Sequence, residues 1–294
     1  MKSGTSLATA AAIGAALSSL PACAPTNTPG SPTPAPRAPA PSSATPTSAE
    51  SWSPHLMPGT YQYELHTEGS IQLDADTARQ EVPIDSRLLY TVTVSPQGQL
   101  VRVLGTVDSL SITEVPAART DTSAGPATVH RQWLGVMSPN GQAAGSQTDS
   151  TICGPGPQIV VQPIHELLVA HPPTLTAGAQ WKDTTVTTTC RGQVAVISTA
   201  VNDFRLDGPD SRHGTPALRI SRSSEITIRG SGRDSRRSVT LAGGGGGKAT
   251  LYIDQVRGNI LESSSETRTV ITIKTLTGEI PFRQQIQQQV TLRP

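Results

Sequence analysis

Apolar and polar residues alternate with a period of two over much of the second half of the chain, and the cleanest case is Leu218 to Arg229. Arg219, Ser221, Ser223, Glu225, Thr227 and Arg229 occupy one set of positions, and Leu218, Ile220, Ile226 and Ile228 occupy the other. Successive side chains of a strand point to opposite faces, so this segment predicts a strand wet on one side and dry on the other, as in an antiparallel sheet. The same reading predicts a hairpin, with Arg87–Val94 turning through Pro96, Gln97 and Gly98 into Leu100–Val107. Further strands are predicted at Thr60–Leu73, Val129–Val136, Thr184–Cys190, Gln193–Val201, Ala249–Asp254 and Ile260–Ile273. Turns are expected at Gly208 with Pro209 and at Gly258 with Asn259. Phe282, Ile286 and Val290 are spaced as on a helix. The polar positions Arg283, Gln285, Gln287, Gln289 and Thr291 fit a strand, which is the preferred assignment.

One helix is expected, Pro163–Ala170, with Pro163 at a first helical position and His171, Pro172 and Pro173 ending it. Repeated strands without intervening amphipathic helices predict a mainly β fold: an antiparallel curved sheet, open β-barrel or sandwich with one short helix. The motif around Pro58–Tyr63 is faintly echoed at Ala177–Asp183, each having a Gly followed by an aromatic that opens a strand.

The N-terminal segment, Met1–Glu50, has a different character. Lys2 precedes a short apolar stretch, Leu7–Leu17, and then Leu20, Pro21, Ala22 and Cys23. A cation, a short apolar core and a small residue before the cut form a secretory signal, too short to span a bilayer. Ala24–Glu50 is dominated by Pro, Thr, Ser and Ala and cannot bury enough apolar surface to order itself. Such a tether reaches at most roughly 80 Å at about 3.1 Å per residue. The predicted organisation is therefore a signal peptide at 1–22, a linker at 23–55 and a single β-rich domain at 56–294.

Leu20, Ala22 and Cys23 resemble the lipobox of bacterial lipoproteins, with Pro21 departing from the usual small residue or valine. That resemblance implies diacylglyceryl modification of the Cys23 thiol, cleavage before it, and acylation of the new amine. Two or three long chains at roughly 0.8 kcal/mol per buried methylene would then hold the domain at a membrane. An ordinary signal peptide with a free Cys near the cut is the alternative. By analogy with envelope sorting rules, Ala24 in place of Asp implies the outer membrane where the organism has one.

After the signal, Cys153 and Cys190 are the only cysteines besides Cys23. An even count in an oxidising compartment predicts a disulfide worth roughly 3–4 kcal/mol; two separate buried thiols are the alternative. A net charge of +1 gives no electrostatic signal for nucleic acid, and 3% aromatic content leaves few platforms for stacking bases.

The motifs of the chain point to no catalytic residue, no metal site and no cofactor. In the run Ala242–Lys248 the phosphate-loop pattern fails at Ala249, where a hydroxyl must hold Mg²⁺, and a flexible hairpin tip is expected instead. His165 and His171 are six apart around Glu166, about 120° apart on a helix, which is not the zinc-protease spacing. No nucleophile elbow occurs, and Asp183, Asp203, Asp207 and Asp254 are scattered. Arg229, Arg233, Arg236 and Arg237 crowd one turn and read either as an anion or headgroup patch or as a solvated guard on a strand edge.

Gly178, Trp181 and Asp183, followed later by Asp254 and Gly258, resemble a family of uncharacterised β-rich envelope lipoproteins carrying G-x-x-W-x-D and D-x-x-x-G segments. The resemblance implies no reaction; Trp181 and Asp183 are expected to fix a strand entrance. The expected function is a membrane-anchored module holding an apolar ligand on a concave face, with an interaction scaffold for an envelope protein as the alternative and a hydrolase third.

Overall fold

The alternation develops into strands far longer than the average of five or six residues. The computed structural model describes residues 50–75, 78–112, 128–129, 132–147, 158–159, 167–191, 194–234, 237–276 and 278–294. They belong to one compact unit, Pro46–Pro294. In chain order the strands are β1 (Ser51–Trp52), β2 (Gly59–Ala75), β3 (Ala78–Gln97), β4 (Leu100–Ile112), β5 (Thr128–Val129), β6 (Gln132–Met137), β7 (Ala143–Gln147), β8 (Gln158–Ile159), β9 (Leu175–Thr176), β10 (Gln180–Arg191), β11 (Val194–Arg212), β12 (Thr215–Asp234), β13 (Arg237–Asp254), β14 (Ile260–Thr275) and β15 (Gly278–Leu292).

Eleven of them form one antiparallel sheet in the order β10-β11-β12-β13-β14-β15-β2-β3-β4-β6-β7, strongly curled into a half-barrel. The mainly β, curved-sheet expectation is thus correct. β15 lies between β14 and β2, so the C-terminal segment is a strand paired from Phe282↔Leu73 to Leu292↔Tyr63. The predicted β3–β4 hairpin forms with Gly98 at φ +64°, a left-handed conformation that glycine adopts without cost.

Two expectations are corrected. Gly208 and Pro209 do not turn the chain; they sit inside β11, where the register with β12 shifts between Leu206 and Gly208. The shift is a β-bulge, which accommodates a Gly at φ +141° and bends the strand without reversing it. The reversal comes at His213 and Gly214, with φ of +50° and +79°, a two-residue hairpin loop with both residues left-handed. Nor is the run Ala242–Lys248 a hairpin tip. It is the middle of β13, hydrogen-bonded on both sides from Arg229↔Ala242 to Ser223↔Lys248 and from Ala242↔Thr272 to Lys248↔Glu266.

Backbone proximity explains the glycines. A Cβ at Gly243 would lie 2.2 Å from the Val270 carbonyl oxygen, and one at Gly245 would lie 1.9 Å from that of Arg268, both on β14. A Cβ at Gly244 would instead lie 2.7 Å from the Ile226 oxygen on β12. The two faces of β13 lean toward opposite neighbours, as they do when a strand is rolled about its own axis within a tightly curled sheet.

The dry face is packed at both ends and polar between. The larger cluster gathers Tyr63, Leu65, Tyr90, Val103, Leu206, Leu218, Ile220, Leu251 and Ile260, and the smaller one Val194, Val196, Ile228, Leu241, Ile271 and Phe282. Tyr63 and Tyr90 stack with centroids 5.7 Å apart, and burial pushes the Tyr63 phenol well above its usual range against the opposing pull of Asn259.

Along β12 the dry positions read Leu218 and Ile220, then Arg222 and Ser224, then Ile226 and Ile228, so each cluster takes one apolar pair. In the polar belt between, Ser224 Oγ donates to Asn202 Oδ1 at 2.6 Å, and Asn202 Nδ2 donates to Thr185 Oγ1 at 3.3 Å.

The end of the larger cluster is closed by chain outside the main sheet. Trp52 is buried there, so the fold takes in residues ahead of 56. Leu56 N donates to the Pro139 oxygen at 2.7 Å, while Asn140 Nδ2 donates to the His171 oxygen at 2.6 Å. Of the predicted helix, residues 163–166 lie outside the described residues; Leu167 is helical and buried, and 168–170 have left the helix.

Candidate functional site

A recess lies on the polar face. An open groove of 1110 Å³ crosses the sheet from β10 to β2, and its lining follows the strand register. One row across the seven strands is Lys182, Asp203, Ser223, Lys248, Glu266, Gln287 and Glu68, each directly opposite the next. The row beside it is Gln180, Arg205, Ser221, Thr250, Ser264, Gln289 and His66. All of these line the groove. A flat sheet face holds no trough, so the strands must arch away along these rows. The dry-face row between these two, Trp181, Phe204, Arg222, Ala249, Ser265 and Gln288, also contributes to the lining, and from Arg222 to Gln288 the polar belt interrupts apolar packing.

Charge is unevenly distributed along the groove. Lys182, Arg205 and Lys248 lie over β10 to β13 with one carboxylate, Asp203, among them, whereas Glu262, Glu266 and Glu68 lie over β14 and β2. Most of these groups are already engaged. Lys182 Nζ lies 2.8 Å from Asp203 Oδ1, and that carboxylate holds the ammonium above its usual range. Glu266 Oε1 accepts from Arg268 Nη2 at 2.6 Å and from Gln285 Nε2 at 3.2 Å. His66 Nε2 lies 3.1 Å from Asp85 Oδ1 and 3.3 Å from Glu68 Oε1. Lys248, exposed mid-groove, makes no ion pair among the described residues. Exposed pairs of this kind contribute little to stability, and their charges are available to a ligand. The arrangement suits reversible binding of an extended hydrophilic molecule through many weak contacts.

The carboxylates singled out in the sequence are separated by the fold. Asp254 Oδ1 accepts from the backbone nitrogens of Val256 and Arg257, both at 2.8 Å, and so holds the β13–β14 turn. Asp207 accepts from Ser221 Oγ at 2.6 Å and lies near Arg219. Asp183 stands opposite Asn202. Trp181 fixes the entrance of β10 as expected: its ring stacks on Phe204 at 5.2 Å, and its Nε1 donates to the Ala170 oxygen at 2.7 Å.

Cys23, Cys153, His165, Glu166 and Arg236 lie outside the described residues, and Cys190 is placed only by its backbone position opposite Ala195. His171 is buried at 4% exposure with Nδ1 at 2.8 Å from the Pro172 oxygen. Arg229 and Arg233 are exposed on β12 beyond the groove. Among the described residues no three His, Cys, Asp or Glu side chains are grouped to hold a metal ion, and no helix is long and apolar enough to cross a membrane. No family model matches the chain, and no curated protein matches it.

Proposed function

We propose that the chain is a non-enzymatic envelope lipoprotein, moored through acyl chains on Cys23, whose domain binds a hydrophilic envelope partner in the groove across β10 to β2. One contrast carries this reading. Leu206, Leu218, Ile220, Leu251 and Ile260 are all 0% exposed on the dry face, whereas the polar face offers 1110 Å³ of open groove. An apolar cargo would have to displace that core, at a cost of about 2–5 kcal/mol for each large side chain that loses its packing. The interaction reading is therefore preferred over the lipid-carrier reading.

A photo-reactive residue replacing Thr250, on the groove floor, is expected to cross-link an envelope component in intact cells. The same residue at Val256, 70% exposed on the β13–β14 turn, is not. Equal labelling at the two positions overturns the groove. An apolar molecule retained by the full-length Cys23→Ser chain in native mass spectrometry restores the carrier reading. The same variant is expected to leave the membrane fraction, and its retention there removes the tether.

A further inference from the structure

We propose that the chain forms a two-fold homodimer through the long open edge of its sheet, with β10 of one copy hydrogen-bonded antiparallel to β10 of the other.

The sheet has two terminal strands of unlike character. β7 is short, Ala143–Gln147, which by itself limits edge pairing. β10 runs for 12 residues, and among the described residues no strand pairs with it on the side away from β11. The short β8 approaches β10 without pairing to it. Edges of this length are normally blunted by Lys, Pro or a bulge. From Thr184 to Thr189 the strand holds only Thr and Val, and its register with β11 is unbroken. Beside it on the polar face, Val186, Ile197 and Val201 are 58%, 48% and 38% exposed. Such an edge has high β propensity and regularly spaced backbone donors and acceptors, the elements of strand addition.

Charge complementarity selects a second copy as the occupant. When β10 pairs with itself antiparallel about Thr187, Asp183 of each copy stands opposite Arg191 of the other, and Thr185 stands opposite Thr189. Two-fold symmetry makes the charge match twice. Slipping the pairing by one residue in one direction sets Arg191 against Lys182, and slipping it by two in either direction leaves both charges facing neutral residues. One register is thus favoured by the charges that bracket the Thr/Val run.

Sedimentation equilibrium of the full-length chain in a neutral detergent tests this. The parent is expected to be dimeric, and Asp183→Arg and Arg191→Asp are each expected to weaken the dimer about tenfold or more, because each places like charges opposite one another at both symmetry-related positions. Mixing the two single variants restores attraction at both positions and is expected to restore the dimer. The double variant Asp183→Arg, Arg191→Asp is expected to dimerise like the parent. Recovery in the mixture also separates lost pairing from failed folding. A monomeric parent, single variants that dimerise like the parent, or a mixture no more dimeric than its components would each overturn the proposal.

Discussion

At Gly245 the space for a methyl group is already taken by the Arg268 carbonyl oxygen, and at Gly246 the nearest atom is the Ser224 oxygen at 3.1 Å. Adjacent glycines in one strand therefore differ in what they tolerate. Gly245→Ala is expected to destabilise the domain by about 3 kcal/mol, since β14 must move aside. Gly246→Ala is expected to change stability by less than about 1 kcal/mol, loss of steric room being offset by the lower chain entropy of alanine. Urea unfolding of both variants checks the contrast, and equal effects would remove the close-approach explanation. The sequence alone could not reveal this, because five consecutive glycines have no side chains to show periodicity and glycine normally weakens a strand. The signal was nonlocal: it lay in the approach of β14.

Among the elements, the strands were legible wherever one face was dry. β12 followed its Leu/Ile alternation, β15 its alternating Gln positions and β4 its Val positions, because burial fixes which residues face inward. Gly208–Pro209 misled because the pair that commonly turns a chain also fits a bulge, and only the register distinguishes them. The neighbouring hairpin offers a test. His213 holds φ +50° in a two-residue loop where Asn-Gly is the favoured pair, at some conformational cost to a histidine. His213→Asn is expected to raise stability by about 0.5 kcal/mol, read as a higher urea midpoint at unchanged slope. A lower midpoint would show that the contact of His213 Nε2 with Glu262, 3.9 Å away, outweighs the strain.

For the whole molecule, the groove could not be read from any one segment, since its two rows draw a residue from each of seven strands. Its trace in the sequence was the loss of apolar residues from the dry positions, at Arg222 and Ser224 and again at Ser263, Ser265 and Thr267. Those breaks become meaningful only once the strands are in register. Global stability should also depend on pH through His171, which joins the 138–142 turn to the stretch after Leu167. Burial holds its imidazole below the usual value; the bond to the Pro172 oxygen opposes that shift and nearby His55 adds to it. The unfolded chain then binds the proton more readily, so stability is full above about pH 6.5 and falls as pH drops through that value. The thermal midpoint is expected to be lower at pH 5.5 than at pH 7.5, with a smaller difference in His171→Asn. An unchanged difference would assign the effect to other groups. Finally, the pairing of β15 with β2 joins, in the interior of the sheet, two strands that lie far apart along the chain. That seam can close only when β15 is available to β2, and a ladder spanning so much sequence is slow to form. Loss of even the final strand would therefore split the sheet into two sections instead of trimming its rim.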